Sequence, residues 1–418
     1  MKASSSPAAV AWAGLLALAL AMGIGRFAFT PLLPLMQRDG LIDAALGAEL
    51  AAANYGGYLL GALSAAAVAA RLGASGDSAR RSLRLAGLAL LAVVLLTAAM
   101  ALSHGAWTWR LLRAGAGVAS AWALVGTSGW ALGRLAQTGQ AALGGRVFAG
   151  VGSGIALAGL AAWMAAEWAS PGLWALLAAL GAGLALAMAL LVQRAGAAPA
   201  AVAAAMPGPA AHRQRPGLPA GSAALLFCYG AFGFGYIVPA TYLPLMARQL
   251  VDDPRWFGLA WPLFGLAAAL STLASARWAA HWPRTRLWAL CQAAMALGVA
   301  LPLASRSGLA IAAAAVLVGG SFMVATMAGL QLARAWLPAD PTPLLARLTA
   351  AFALGQIAGP LAVRGLAALP APPTLPTLPI GLDAIALTSA AAALLLAATA
   401  AWLWLGLNDH PPETHHAP

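Results

Sequence analysis

Long apolar runs recur along this chain and restrict its fold more than any other feature. A membrane-spanning helix needs about 20 mostly apolar residues. In the hydrocarbon core such a segment makes its backbone hydrogen bonds internally, as a helix. Twelve stretches of the 418 residues qualify. They cover 8–36, 46–70, 83–103, 106–131, 145–166, 171–193, 221–247, 256–280, 286–304, 308–336, 345–369 and 381–406. The sequence therefore predicts an all-α integral membrane protein with twelve transmembrane helices.

Composition supports a bilayer environment over an aqueous one. The chain is 62 % hydrophobic and 8 % charged, whereas soluble domains are roughly 45–50 % apolar and 25 % charged. The net charge of +12 is spread over basic residues that stand between apolar runs and form no patch with interleaved aromatics. This distribution excludes nucleic acid as the expected partner and predicts contact with lipid instead.

The two sets of six runs are related by an internal repeat. Ala21–Arg38 and Ala231–Arg248 align without gaps and are identical at eight of 18 positions. Their offset is 210 residues, about half of the chain. We therefore predict two pseudo-symmetric six-helix bundles, at 1–194 and 221–407, joined by a cytoplasmic linker at 195–220 and followed by a cytoplasmic tail at 408–418.

The basic residues also predict the orientation, because short cytoplasmic loops carry the excess of lysine and arginine. If the N-terminus is inside, the inner segments hold fifteen lysines and arginines and the outer loops hold four. The protein is thus expected to be a multi-pass protein of the cytoplasmic membrane with both termini in the cytoplasm. "Inner" and "outer" below refer to this predicted orientation.

Arg26 is the main candidate for a functional residue, because an ionisable group inside a span is costly and normally faces a cavity or a partner. Gly23 and Gly25 precede it and two prolines follow, so the helix is expected to bend or open there. Interruptions at corresponding places in two repeats are typical of transporter binding sites. A guanidinium suits a carboxylate or phosphate. The alternative is that Arg26 pairs within its own half and locks the bundle.

The repeat places Tyr236 where the first copy has Arg26, so one wall of the expected pocket is cationic and the other aromatic. Such a pocket suits an organic anion with an apolar body. Tyr236 as a core tyrosine bonded to backbone is the alternative. The other predicted substrate-binding residues are Thr30, Asn54, Arg113 and Gln356.

Carboxylates are rare inside the spans, which bears on proton coupling. Proton relays usually use intramembrane Asp, Glu or His residues, and only Glu49 and Glu167 lie within or beside a span, both near its outer end. Glu49 is the candidate for proton coupling, and a simple interfacial carboxylate is its alternative. No nucleotide loop, metal-ligand cluster or nucleophile motif occurs, so we expect neither an enzyme nor a cofactor nor a metal site.

Three sequence motifs resemble a known family. They are Gly23-Ile-Gly-Arg-Phe-Ala-Phe-Thr-Pro-Leu-Leu-Pro34, Asn54-Tyr-Gly-Gly-Tyr-Leu-Leu-Gly-Ala62 and Gly355-Gln-Ile-Ala-Gly-Pro360. They are similar to YbfB/YjiJ-type transporters of the major facilitator superfamily (MFS), and Arg113–Ala121 looks like the superfamily's fourth-helix motif. The resemblance covers nearly the whole chain and implies an MFS fold without naming a cargo.

The leading hypothesis is therefore a secondary active transporter that carries a small, anionic or amphipathic organic solute by alternating access, as a monomer and with a proton as a possible coupling ion. A second hypothesis is a drug or metabolite efflux antiporter in which Arg113 is the key charge and Arg26 is structural. A third, from another class, is a membrane sensor or assembly protein that keeps the fold without transporting.

Overall fold

A computed structural model describes residues 6–72, 78–195, 221–250, 258–279, 281–305, 307–337, 342–369 and 380–406. Apart from Ala195, the predicted linker lies outside the described residues, and so does the predicted tail. The division of the chain at these boundaries therefore stays a prediction.

All the regular secondary structure of the described residues is helical, and they contain no strand. The first span comprises α1 (Pro7–Leu18), a π-helical segment (Ala19–Ile24) and α2 (Phe29–Arg38). The first half continues with α3 (Ala44–Arg71), α4 (Ser78–Leu102), α5 (Ala106–Gln137), α6 (Gly144–Met164) and α7 (Ser170–Arg194). The second half consists of α8 (Ser222–Leu250), α9 (Ala260–Trp278), α10 (Arg284–Ala304), α11 (Gly308–Trp336), α12 (Thr342–Ala367) and α13 (Ile380–Gly406).

The prediction of twelve transmembrane helices in two six-helix bundles is confirmed. Within the described residues, nine helical spans are long and apolar enough to cross a membrane by length and composition alone. Helices α3, α5 and α9 do not meet the same criterion, although they are 28, 32 and 19 residues long. They pack against other spans, α3 against α5 and α9 against α6 and α11, and they complete the set of twelve.

Among the described helices, the halves pack mainly along three pairs: α3 with α12, α6 with α9, and α2 with α8. The α6–α9 seam depends on glycines that let the two backbones touch. A Cβ on Gly152 would lie 2.3 Å from the Ala269 nitrogen, and a Cβ on Gly265 would lie 2.3 Å from the Ala156 nitrogen. Side chains at these two positions would push the halves apart, which is why the seam is built from small residues.

The first span is interrupted at the position where the sequence predicts a bend. Just after the π-helical segment, the Gly25 and Phe27 N–H groups donate to the carbonyls of Leu20 and Met22, five residues back, at 3.0 Å each. The Thr30 N–H, which would reach the Arg26 carbonyl in a regular helix, donates to the Phe27 carbonyl instead, at 3.2 Å. Pro31 has no N–H and cannot donate to the Arg26 carbonyl in place of Thr30. The interruption leaves the Arg26 carbonyl without its helical donor and open to another partner.

Candidate functional site

The carbonyls at the interruption are satisfied by polar side chains of the same half. Arg113 of α5 donates to the Arg26 carbonyl at 3.0 Å and to the Gly25 carbonyl at 3.4 Å. Asn54 of α3 donates to the Arg113 carbonyl at 2.9 Å and lies 3.5 Å from the Gly25 carbonyl. Both side chains are buried. Arg113 and Asn54 therefore hold the opened backbone in place, because unpaired backbone groups in hydrocarbon cost several kcal/mol each.

Glycines bring the neighbouring helices close enough for these bonds. A Cβ on Gly23 would lie 2.2 Å from the Gly154 carbonyl carbon, and a Cβ on Gly25 would lie 2.6 Å from the Ser120 Oγ. The first span therefore packs directly against the backbone of α6 and the face of α5. Larger residues at these two positions would displace the interruption and the arginine that follows it.

The side chain of Arg26 crosses from the first half to the second. It is 3 % exposed and donates through Nη2 to the Gln356 Oε1 of α12. Its guanidinium carbon lies 4.0 Å from the ring centroid of Tyr58 and 5.5 Å from that of Tyr55. The buried guanidinium is thus surrounded by a neutral amide and aromatic rings, and its Nε has no hydrogen-bond partner.

Gln356 connects Arg26 to Tyr236, because its Nε2 donates to the Tyr236 hydroxyl. The Tyr236 ring is stacked between two other rings. Its centroid lies 5.4 Å from that of Phe322, with an interplanar angle of 2°, and 5.5 Å from that of Phe352, with an interplanar angle of 6°. The two repeat-related positions, Arg26 and Tyr236, therefore share one amide. The structure places a cation of the first half beside an aromatic stack of the second half.

The outer side of this site is closed by contacts between the halves. The Thr30 Oγ1 donates to the Ala240 carbonyl at 2.8 Å, and these two residues occupy equivalent repeat positions. The Tyr55 and Thr241 hydroxyls are 3.0 Å apart, and Arg248 donates to the Pro34 carbonyl at 2.5 Å. The two helices thus meet at the pseudo-two-fold axis, on the outer side of Arg26.

Glu49 lies in a separate ionic cluster at the outer end of α3. It accepts from the Arg110 Nε of α5 at 2.7 Å and pairs with the Arg364 Nη2 of α12 at 2.9 Å. Because Arg364 belongs to the second half, the cluster joins the two halves at the outer end of the α3–α12 pair.

The structure thus brings together Arg26, Gln356 and Tyr236, with Asn54 and Arg113 supporting them through the backbone and Thr30 on their outer side. Sequence reasoning missed Tyr55, Phe322 and Phe352, which have no counterpart in the repeat comparison. The signal for Tyr58 was present in its spacing of four residues from Asn54, which places both on one face of α3.

The charge balance of this buried region is one-sided. In the described part of the chain, the buried charged residues are Arg26, Arg113 and Arg134, and no aspartate, glutamate or histidine is buried. Arg134 lies at the inner end of α5 and donates to the Ala195 carbonyl at 3.2 Å. Arg26 and Arg113 are therefore two buried cations whose described hydrogen-bond and ring contacts are all with neutral groups.

Comparison with known proteins identifies the family. Residues 18–403 match the family described as "Uncharacterised MFS-type transporter YbfB". The chain belongs to this family. It is accordingly a multi-pass membrane transporter of the MFS and not an enzyme, and the resemblance drawn from the sequence motifs is confirmed. A comparison with curated proteins found no match.

Solved structures show the same fold as this YbfB-type chain at low sequence identity. A D-xylose-proton symporter is 12 % identical with a TM-score of 0.67, covering 96 % of this chain and 97 % of its own. A point mutant of the nucleoside transporter NupG is 12 % identical with a TM-score of 0.68, and the match covers 95 % of this chain and 99 % of the NupG chain. A bacterial homolog of the human lysosomal transporter Spinster, inward-facing and unoccupied, is 15 % identical with a TM-score of 0.61, covering 95 % of both chains.

Proposed function

We propose that this MFS protein is a secondary active transporter that carries a small organic anion with an apolar body by alternating access. The observation that carries the proposal is the pair of buried arginines without a buried carboxylate in the described residues. A buried charge without a counter-charge is costly, and Arg26 and Arg113 cannot lose theirs by deprotonation. An anionic substrate supplies the missing charge.

Arg26 is the substrate ligand in this proposal, and Arg113 is its support. Both hydrogen bonds of Arg113 go to backbone carbonyls of its own half, whereas Arg26 reaches an amide of the opposite half. The Gln356 Oε1 occupies the position that a substrate carboxylate or phosphate oxygen takes up. Binding of the anion then replaces Gln356, frees the Tyr236 hydroxyl and places the apolar body near the aromatic stack.

Alternating access requires the outer contacts between the halves to break and re-form. The hydrogen bond from Thr30 to Ala240 and the ion pair from Glu49 to Arg364 are such contacts. Glu49 remains the candidate for proton coupling, because its protonation removes the charge that attracts both Arg110 and Arg364.

The efflux hypothesis, with Arg113 as the key charge, receives less support, because the described bonds of Arg113 stay within its own half. The hypothesis of a non-transporting sensor or assembly protein also receives less support, because the chain belongs to a family of transporters.

The test is transport by proteoliposomes that contain wild-type, Arg26→Gln or Arg26→Lys protein, with small carboxylates, phosphates, sulfonates, neutral sugars, nucleosides and cations. We expect anions to be transported and Arg26→Gln to slow them by at least about tenfold, because an interacting buried charge is worth about 2–5 kcal/mol. Arg26→Lys should lie between, since it keeps the charge and loses the planar fork.

Size-exclusion profile and apparent Tm serve as controls for folding. If a well-folded Arg26→Gln protein moves the anion as fast as wild type, Arg26 is structural. If only neutral or cationic solutes are transported, the proposed substrate class is wrong.

A further inference from the structure

A cavity lies at the inner end of the seam between the two halves. Its volume is about 450 Å³, and it is separate from the Arg26 cluster. The first half contributes the end of α5 and the start of α6, including Ala136, Gly145 and Phe148. The second half contributes the ends of α9 and α11 and the start of α10.

The two walls of this inner cleft differ in charge. The second half supplies two guanidinium groups, from Arg284 at the start of α10 and Arg334 in the last turn of α11, together with Gln331. The described residues of the first half's wall are apolar or glycine. No carboxylate is present among the described lining residues. The cleft therefore combines a cationic wall with an apolar wall.

Arginines are expected on the inner side of any membrane protein, so their presence alone assigns no role. The position of the two side chains is what separates them from that general bias. Arg284 and Arg334 line a cavity between the halves, whereas Arg286, two residues further along α10, is not among the residues that line it and has its guanidinium 5.6 Å from the Trp404 ring. Clefts that are lined by one sign of charge concentrate the field and raise the local concentration of the opposite ion.

We propose that the inner cleft is a second anion-binding site, in which Arg284 and Arg334 hold the carboxylate, phosphate or sulfonate of an amphipathic organic anion against the apolar wall formed by α5 and α6. The inference rests on the proposed function for its role in transport. The same substrate binds at this site on the inner side of the membrane, before or after it occupies the Arg26 site. The inner cleft therefore contributes to the affinity for substrate on the inner side only.

The arrangement also explains why the charges alternate between the halves. At the level of Arg26 the cation comes from the first half, and in the inner cleft both cations come from the second half. The charge of an anion is therefore bound by the first half at the Arg26 site and by the second half in the inner cleft. Rocking of the halves about the seam then weakens one site as it opens the other.

The test measures the electrostatics of the cleft without knowledge of the substrate. A cysteine is introduced by Ala136→Cys, on the wall opposite the arginines, in protein purified in a non-ionic detergent. Its rates of reaction with an anionic thiosulfonate reagent and with a cationic one are measured, and their ratio is normalised to that of a small free thiol. The parent protein, in which Cys228 and Cys291 are buried, gives the background.

We expect the normalised ratio to favour the anionic reagent by roughly fivefold or more, and to fall as salt rises from about 0.1 M to 1 M, because the screening length shrinks from about 10 Å to 3 Å. Arg334→Gln and Arg284→Gln should each lower the ratio, and Arg334→Lys should restore it. Arg286→Gln is the matched control and should leave it unchanged.

A ratio equal to that of the free thiol, or one that Arg286→Gln lowers as much as Arg334→Gln does, overturns the proposal. The result is independent of the Arg26 experiment. If anion transport is absent but the ratio behaves as expected, the cleft binds anions and the proposed function fails alone. If anion transport is present and the ratio is featureless, the proposed function stands and the second site fails.

Discussion

The segments Ala21–Arg38 and Ala231–Arg248 are copies of one motif with different structures. The first copy is opened by a π-helical segment and carries a buried charge, whereas the second lies in the continuous helix α8 despite Pro239 and Pro244. The interruption provides carbonyls that bind Arg113, which in turn fixes the backbone beside Arg26. The aromatic copy is held by ring packing and needs no such opening.

The two halves therefore contribute different parts of one site. The first half supplies the charge together with the irregular backbone that positions it. The second half supplies a continuous helix, a stack of rings and the Gln356 amide between the two. Two changes test this division, and a third tests the outer contact between the halves.

The largest effect is expected from exchanging the two residues, in the double variant Arg26→Tyr with Tyr236→Arg. The number of charges is unchanged, but the guanidinium then lies between Phe322 and Phe352, away from the opened backbone. We expect anion transport in proteoliposomes to fall by roughly 100-fold or more, because misplacing a buried charge costs about 3–5 kcal/mol.

The single variant Tyr236→Phe keeps the ring stack and is the control for the exchange. It should change the KM for the anion only a few-fold, since it removes one hydroxyl. Retention of wild-type transport by the exchanged protein would show that the halves are interchangeable at this position.

A smaller effect is expected from Arg113→Leu, which removes the donor from the opened backbone. Each carbonyl left unpaired should cost about 1–3 kcal/mol, so the apparent Tm and the yield of monodisperse protein should both decrease. Arg113→Lys should be intermediate, because one ammonium replaces a planar fork. The measurement is thermal unfolding in detergent. An unchanged Tm for Arg113→Leu would mean that the interruption of the first span does not depend on Arg113.

The smallest effect is expected from Glu49→Gln, at the outer ends of the two halves. Losing the ion pairs with Arg110 and Arg364 should favour outer opening by about 1 kcal/mol or less, as is usual for partly exposed ion pairs. A cysteine placed by Ala240→Cys should then react about two- to fivefold faster with a membrane-impermeant maleimide. If Glu49 also couples protons, the response of uptake to a pH gradient should disappear.

Glu167→Gln is the matched control for Glu49, because Glu167 is an exposed carboxylate beside the outer end of α6. Equal labelling rates in the Glu49 variant and in this control would show that Glu49 does not stabilise the outer contact between the halves. A retained response to the pH gradient would show that Glu49 does not couple protons.

Much of the fold could be predicted from the sequence, since span length and hydropathy are local properties that the bilayer imposes on any chain. The interruption near Arg26 was also predictable, because glycine and proline restrict the backbone wherever they occur. The site was only partly predictable. Arg26, Tyr236 and Gln356 were found as separate candidates, but the single amide that joins them depends on the packing of α12 against α8.

The twelve spans, the repeat and the inequality of its two copies can all be read from the amino-acid sequence. The partners of the charges became visible only in the folded protein. The tertiary structure placed Arg113 on the backbone of the first span, Arg26 beside Gln356 and Tyr58, and Glu49 between two arginines of different halves. The physical reason is that hydropathy acts along the chain, whereas the cost of a buried charge depends on groups that folding brings from far apart in sequence.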